Sequence, residues 1–158
     1  MSASSGTPVR GNKFFGEEVL TFPAEGLFSI VLDVERYPEF LPWCKRVKIT
    51  DSGDSHLVAE VVAGVFSLRG GYTSHVSFRS PEGDRPGWVK VRSEDGVFRL
   101  LQSEWNFLPM KNGETLVKFS IDFSFKHKIL QVAFDVAADA AKRRIMSAFR
   151  ARAQELFG

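Results

Sequence analysis

The chain has little of what most catalytic and metal centres are built from. It contains one cysteine, which excludes an internal disulfide and fits a reducing compartment. Of its three histidines, His56, His75 and His127, none stands at metal-ligand spacing from another His or from Cys44. No phosphate-binding glycine loop is present, and Gly70-Gly71 alone is better explained by sheet geometry. No apolar run approaches the roughly 20 residues of a membrane span, so any membrane contact is expected to be peripheral. Charge of one sign is also lacking. A net charge of +2 gives no bulk electrostatic reason to bind nucleic acid. Residues 1–13 are Ser-rich, carry Arg10 and Lys13 without an acid, and lack the apolar stretch of a signal peptide. They are expected to form a flexible tail ahead of a single domain over 14–158.

What the chain has is phenylalanine. Fifteen Phe residues in 158 imply a large apolar interior, because the ring is bulky and carries no hydrogen-bonding group. The densest apolar segment is Tyr37-Pro38-Glu39-Phe40-Leu41-Pro42-Trp43-Cys44. Each proline restricts the residue before it to extended geometry, so no long helix can cross the segment. A short, stiff elbow carrying large side chains is expected, plugging a core or lining the mouth of a pocket.

The periodicities order the elements. Phe14–Phe22 reads as a first strand. Pro23 suits the opening turn of a helix, and Leu27, Phe28, Val31 and Leu32 make its apolar stripe, although Gly26 weakens it. From Val47 to Phe125 the pattern has period two. Leu57, Ala59, Val61 and Ala63 form one apolar face, and Tyr72, Ser74, Val76 and Phe78 another. Leu101, Ser103, Trp105 and Phe107 precede an Asn112-Gly113 hairpin signal, and Val117, Phe119, Ile121, Phe123 and Phe125 follow it. A helix over about Ile129–Phe157 ends the chain. Leu130, Phe134, Ala138, Ala141, Ile145, Phe149 and Leu156 lie on one side of it, and Asp139 and Arg143 form an i,i+4 pair on another.

The fold class is therefore α+β: about seven antiparallel strands, short helices after the first, and a long terminal helix. One apolar sheet face must be covered, and the terminal helix is the only large cover available, so the sheet is expected to curve around it. Gly64, Gly70 and Gly71 are positions where bulges or bends would supply that curvature. A small-residue helix face (Ala137, Ala138, Ala141) beside Phe-rich strands leaves room for a cavity.

Reactive constellations are absent from this reading. Cys44 has no activating neighbour in sequence and reads as a buried, inert thiol. Glu60, Glu104 and Asp122 lie on strands, but alternation puts Glu104 and Asp122 on the wet face, away from any interior acid–base work. Apolar surface in excess with no reactive group points to binding rather than catalysis.

The elbow resembles the YPEFLPWC signature of the coenzyme Q-binding protein family, a ubiquinone-binding branch of the START-like (polyketide cyclase-like) superfamily. The likeness covers about residues 14–157. It takes in Asp33-Val34-Glu35-Arg36, Tyr72-Thr73-Ser74-His75-Val76 and Asp95-Gly96-Val97-Phe98-Arg99-Leu100-Leu101, then Trp105-Asn106-Phe107-Leu108-Pro109 and Phe119–Phe125. The chain departs from the family in two places. Val97 replaces the Pro of a DGPFR motif, and Lys126-His127-Lys128 replaces a Ser-Asn-Pro-like break.

The resemblance implies the helix-grip fold and a non-enzymatic protein with no cofactor that binds ubiquinone in an apolar tunnel. Such a protein supports ubiquinone biosynthesis or delivery to the respiratory chain. Each isoprene unit gains roughly 3–4 kcal/mol against water, but almost nothing against the membrane it leaves, so selectivity must come from shape and head-group contacts. The expected pocket residues are Val61, Tyr72, Trp105, Phe107, Phe119, Phe123, Ile145 and Phe149, each with simple core packing as the competing reading. Tyr37, Phe40, Leu41 and Trp43 are the expected gate or membrane lip, with a short helix capping the sheet as the alternative. Partners are then a ubiquinone or related isoprenoid lipid, a membrane surface, and respiratory or biosynthetic complexes. The place of action is the cytoplasm at the inner membrane in a bacterium, or the matrix side of the inner mitochondrial membrane in a eukaryote. Two other readings stand beside this one. A close branch of the superfamily comprises ribosome association toxins, and Lys142, Arg143, Arg144, Arg150 and Arg152 on the last helix would then meet RNA phosphate. A small-molecule cyclase would need a polar dyad inside the cavity.

Overall fold

The structure is a computed structural model that describes residues 13–65 and 68–158. The tail expected over 1–13 lies outside the described residues except for Lys13, which opens the first strand. Alternating apolar residues produce seven strands: β1 (Lys13–Leu20), β2 (Cys44–Ser52), β3 (His56–Val65), β4 (Leu68–Arg79), β5 (Gly87–Ser93), β6 (Phe98–Pro109) and β7 (Thr115–Phe125). They form one antiparallel sheet in the order β1-β7-β6-β5-β4-β3-β2. The successive strands β1 and β2 thus sit at opposite edges. Helix α1 (Ala24–Leu32) and a 3₁₀ helix (Val34–Glu39) connect them, and α2 (Lys128–Phe157) ends the chain. This is the helix-grip arrangement: a curved sheet with the long helix across it.

Local chemistry sets the turns. Asn112 and Gly113 both take positive φ, 67° and 76°, the left-handed pair that lets β6 reverse into β7. The Met110 N–H closes that loop on the Glu114 carbonyl at 2.7 Å. Pro23 sits one residue outside α1, and its carbonyl accepts from the N–H groups of Gly26 and Leu27. Gly26 has a packing role as well as a propensity cost. A Cβ there would lie 3.0 Å from the Phe157 ring, which packs against α1 at the end of the chain.

Two expectations need correction. The terminal helix is not the only cover. Helix α1 buries Leu27, Phe28, Ile30 and Val31, and Phe28 meets Phe107 edge-on at 6.0 Å. The glycines expected to bend the sheet do not do so by bulging, since the β3–β4 ladder keeps register through Gly64, Gly70 and Gly71. Register shifts fall instead in β2, at Cys44/Arg46 and Ile49/Asp51, and in β6, at Phe98/Leu100.

Gly70 and Gly71 serve a different purpose. β5 pairs with β4 only from His75 to Arg79, so the first half of β4 runs past its neighbour. The loop Asp95-Gly96-Val97 covers the exposed ladder. The Thr73 N–H donates to Asp95 Oδ1 at 2.7 Å, and the Val97 N–H donates to the Gly71 carbonyl at 3.2 Å. A Cβ at Gly70 would lie 2.0 Å from Val97, and one at Gly96 (φ +60°) would lie 1.9 Å from the Gly71 carbonyl oxygen. Val97 also accepts the Lys126 N–H at 3.0 Å, tying this loop to the entrance of α2.

Candidate functional site

The inner sheet face, α1 and the C-terminal half of α2 enclose an aromatic cluster centred on Trp105. Its ring lies 4.3 Å from Phe119, 4.8 Å from Phe149 and 6.3 Å from the parallel ring of Phe107. All four are buried. The register explains this: Trp105 pairs with Val89 on one side and Phe119 on the other, so β5, β6 and β7 deliver their inward positions side by side. A second, smaller cluster groups Phe98, Leu101, Phe123 and Phe125, with Leu130 of α2 packed against it.

The expected pocket residues divide accordingly. Val61, Trp105, Phe107, Phe119, Ile145 and Phe149 share the larger cluster, Phe123 belongs to the smaller, and Tyr72 packs against both. Ile121 also touches both and was not among the expected residues, although its place in the β7 alternation was visible. A cavity of about 20 Å³ lies between α1 and the larger cluster, lined by Leu20, Leu27, Ile30, Val31 and Val117 with Trp105, Phe107 and Phe149. Its α1 lining was likewise missed, because the helix was not seen to face the sheet. A space of this size holds about one water-sized sphere. The expected small-residue face at Ala137, Ala138 and Ala141, with Phe134 and the Asp139 partner of Arg143, lies outside the described side chains.

Tyr72 differs from its neighbours in having a polar end. Its ring packs edge-on to Phe98 at 4.8 Å, and burial pushes the phenol far above its ordinary range, with Cys44 close enough to add to the effect. The hydroxyl has no hydrogen-bond partner among the described residues. Ser74, two residues along the same face and buried, is in the same condition. Tyr37 is pushed up for the same primary reason, but its hydroxyl donates to the Val31 carbonyl. Burial also raises the Cys44 thiol to about 11, so it is a neutral group at ordinary pH.

The elbow is clamped to α2. Tyr37 and Phe40 meet Phe149 edge-on at 5.5 and 5.2 Å, and Leu41 is buried. The Arg152 guanidinium lies 5.1 Å over the Phe40 ring and binds Glu39 at 3.0 Å and Glu155 at 2.8 Å. Trp43 is half-buried, and its carbonyl accepts the Gly64 N–H at 2.8 Å. Of the five cations weighed for RNA, Arg152 is therefore engaged here, and Arg150 is held by both oxygens of Glu18 at 2.6 and 3.0 Å. Arg143 and Arg144 are exposed, and the Lys142 side chain lies outside those described.

The outer sheet face carries a larger depression of about 420 Å³, polar and open, lined by Lys13, His75, Lys90, Arg92, Glu104 and Asp122 among others. Glu104 and Asp122 are on this outer side, as alternation required. Among the described residues no three His, Cys, Asp or Glu side chains converge as a metal site.

Residues 20–150 match the family model described as polyketide cyclase / dehydrase and lipid transport. The chain belongs to this family. Among its relatives, the ribosome association toxin RatA of Vibrio cholerae is 28% identical over 146 residues, covering 89% of this chain and 94% of the toxin. The mitochondrial coenzyme Q-binding protein COQ10 of Drosophila melanogaster is 27% identical over 144 residues, covering 86% of this chain and 57% of that protein. Among solved structures, the Zhui aromatase/cyclase from a Streptomyces species superposes with a TM-score of 0.75 at 14% identity, over 90% of this chain and 93% of that one. At that identity the likeness establishes the fold alone. Family membership thus supports a START-like lipid-binding architecture. It does not separate the coenzyme Q-binding branch from the toxin branch, and the fold also accommodates a named enzyme.

Proposed function

We propose that the protein binds ubiquinone or a closely related isoprenoid quinone between the sheet and α2, without transforming it, and acts as a carrier. The observation that carries this reading is the Tyr72 hydroxyl: a desolvated donor on a half-buried residue, with no partner among the described residues and set against aromatic and aliphatic side chains. A buried unsatisfied hydroxyl costs stability and calls for an explanation, and a quinone carbonyl is an acceptor of the right kind. Ser74 beside it offers a second donor. A ligand that enters beside the Trp105 cluster would part side chains held by ring contacts rather than by hydrogen bonds, and such a cluster can reopen without stranding polar groups. The likeness to a coenzyme Q-binding protein supports the same reading. A carrier of this kind works at the inner membrane, on its cytoplasmic or matrix side.

The experiment is native purification from a quinone-producing host, solvent extraction and mass spectrometry. Stoichiometric ubiquinone is expected. An empty protein that also takes up no quinone from detergent micelles sinks the proposal.

A second reading, association with ribosomes, is favoured by the likeness to RatA over nearly the whole of both chains. Sedimentation with ribosomal subunits at low and high salt tests it. Salt-sensitive comigration at stoichiometric levels would establish it, and no comigration at low salt would remove it.

A further inference from the structure

The N-terminal half of α2 carries large apolar side chains on its outer side. Ile129, Val132 and Val136 are 76%, 56% and 85% exposed, far from the burial usual for such groups. Their spacing of three and four residues puts them on one helical face. The described side chains by which α2 joins the larger cluster are Ile145, Met146, Ala148, Phe149 and Ala153, all in its C-terminal half. Cations bracket the apolar stripe. Lys126 and Lys128 precede it, and Arg143 and Arg144 follow; all four are exposed. Over residues 126–144 the sequence holds five Lys and Arg against Asp135 and Asp139.

We infer that this face docks the protein on an anionic lipid bilayer, with Ile129, Val132 and Val136 entering the headgroup–acyl boundary and the flanking cations meeting lipid phosphate. An apolar stripe flanked by Lys and Arg is the pattern of a helix that lies in a membrane interface. A second protein copy fits less well. Three side chains fall far short of the roughly 800 Å² per partner that a stable interface needs, whereas a bilayer requires no complementary surface. No helix among the described residues is long and apolar enough to cross a membrane, so contact through this face is peripheral. The docking face lies away from the elbow, which packs on the other end of α2. The inference goes beyond quinone binding, since it requires no bound ligand.

The test is flotation of the full chain with vesicles of phosphatidylcholine alone and of phosphatidylcholine mixed with phosphatidylglycerol. The protein is expected to float with the anionic vesicles and to be released by salt. The double variant Ile129→Ser/Val136→Ser is expected to partition at least roughly tenfold less at any salt concentration. Arg143→Ser/Arg144→Ser is expected to lose the preference for anionic vesicles. All four positions are exposed, and circular dichroism checks that each variant is folded. Wild-type protein that floats with neither vesicle overturns the inference, as do variants that float like wild type. So does sedimentation velocity showing a dimer that Ile129→Ser/Val136→Ser dissociates. Quinone uptake from detergent micelles, measured in parallel, is expected to be equal in all three proteins. Its failure would remove the quinone reading and leave the docking result standing.

Discussion

At the scale of single residues, Tyr72 sets function against stability. Its hydroxyl is desolvated without a partner among the described residues, so Tyr72→Phe is expected to leave the empty protein as stable as wild type or slightly more so. The same change is expected to weaken quinone binding about three- to tenfold, the value of one neutral hydrogen bond. Urea unfolding and quenching of Trp fluorescence by quinone measure the two quantities. A loss of stability without a loss of affinity would show that the hydroxyl serves the fold. Cys44 supports a pH prediction. Its thiol is raised from an ordinary 9.0 to about 11 by burial, so the folded state disfavours the thiolate. That contribution to stability is intact below pH 9 and declines as pH rises from about 9 towards 11, by on the order of 2 kcal/mol. Tyr37 and Tyr72, both raised, add to the decline above about pH 10. Replacing Cys44 by Ser should flatten stability between pH 9 and 10, and an unchanged slope would exclude the thiol as its source.

At the scale of elements, the loop over β4 is the most exacting piece of backbone. Gly96→Ala must place a Cβ 1.9 Å from the Gly71 carbonyl oxygen at a positive φ, whereas Gly83 (φ +55°) has nothing within 4 Å of its own. Gly83→Ala should therefore cost about 1 kcal/mol, the strain of the left-handed region, and Gly96→Ala at least about 2 kcal/mol more. Asp95→Ala removes the acceptor of the Thr73 N–H and should cost about 1–2 kcal/mol. That carboxylate is held below its usual range, chiefly by the same N–H, so its support is present at neutral pH and lost in acid. Urea midpoints for the three variants check the order. The elements themselves were legible because strict alternation and the Asn112-Gly113 turn leave few alternatives over β6 and β7. The role of Gly70 and Gly71 was not legible. It depends on a loop some twenty-five residues away settling on β4, and no local pattern carries that information. The same limit hid the α1 side of the cavity. Leu27, Phe28 and Val31 announced an amphipathic helix, but only the strand order shows that it lands on β5 and β6. The pocket residues were legible as inward-facing. Whether they pack together or part around a ligand depends on volumes that alternation does not encode.

At the scale of the whole molecule, strands far apart in the sequence meet at one edge of the sheet. β1 pairs with β7, Lys13 facing Asp122, and the Thr115 hydroxyl, fully buried, donates to the Phe22 carbonyl at 2.7 Å. This bears on how the chain is made. During synthesis β1 has no partner until β7 follows it, and α1 must wait for the β5–β6 surface that buries it. For most of synthesis the Phe-rich N-terminal segment is therefore uncovered, a state prone to aggregation. Its capture demands closure of a loop of about two-thirds of the chain, from Leu20 to Thr115 at the least, and that class of topology folds over milliseconds to seconds rather than microseconds. β1 is thus made well before it is secured, and a chain cut short before residue 115 would keep β1 as an unpaired, half-apolar edge.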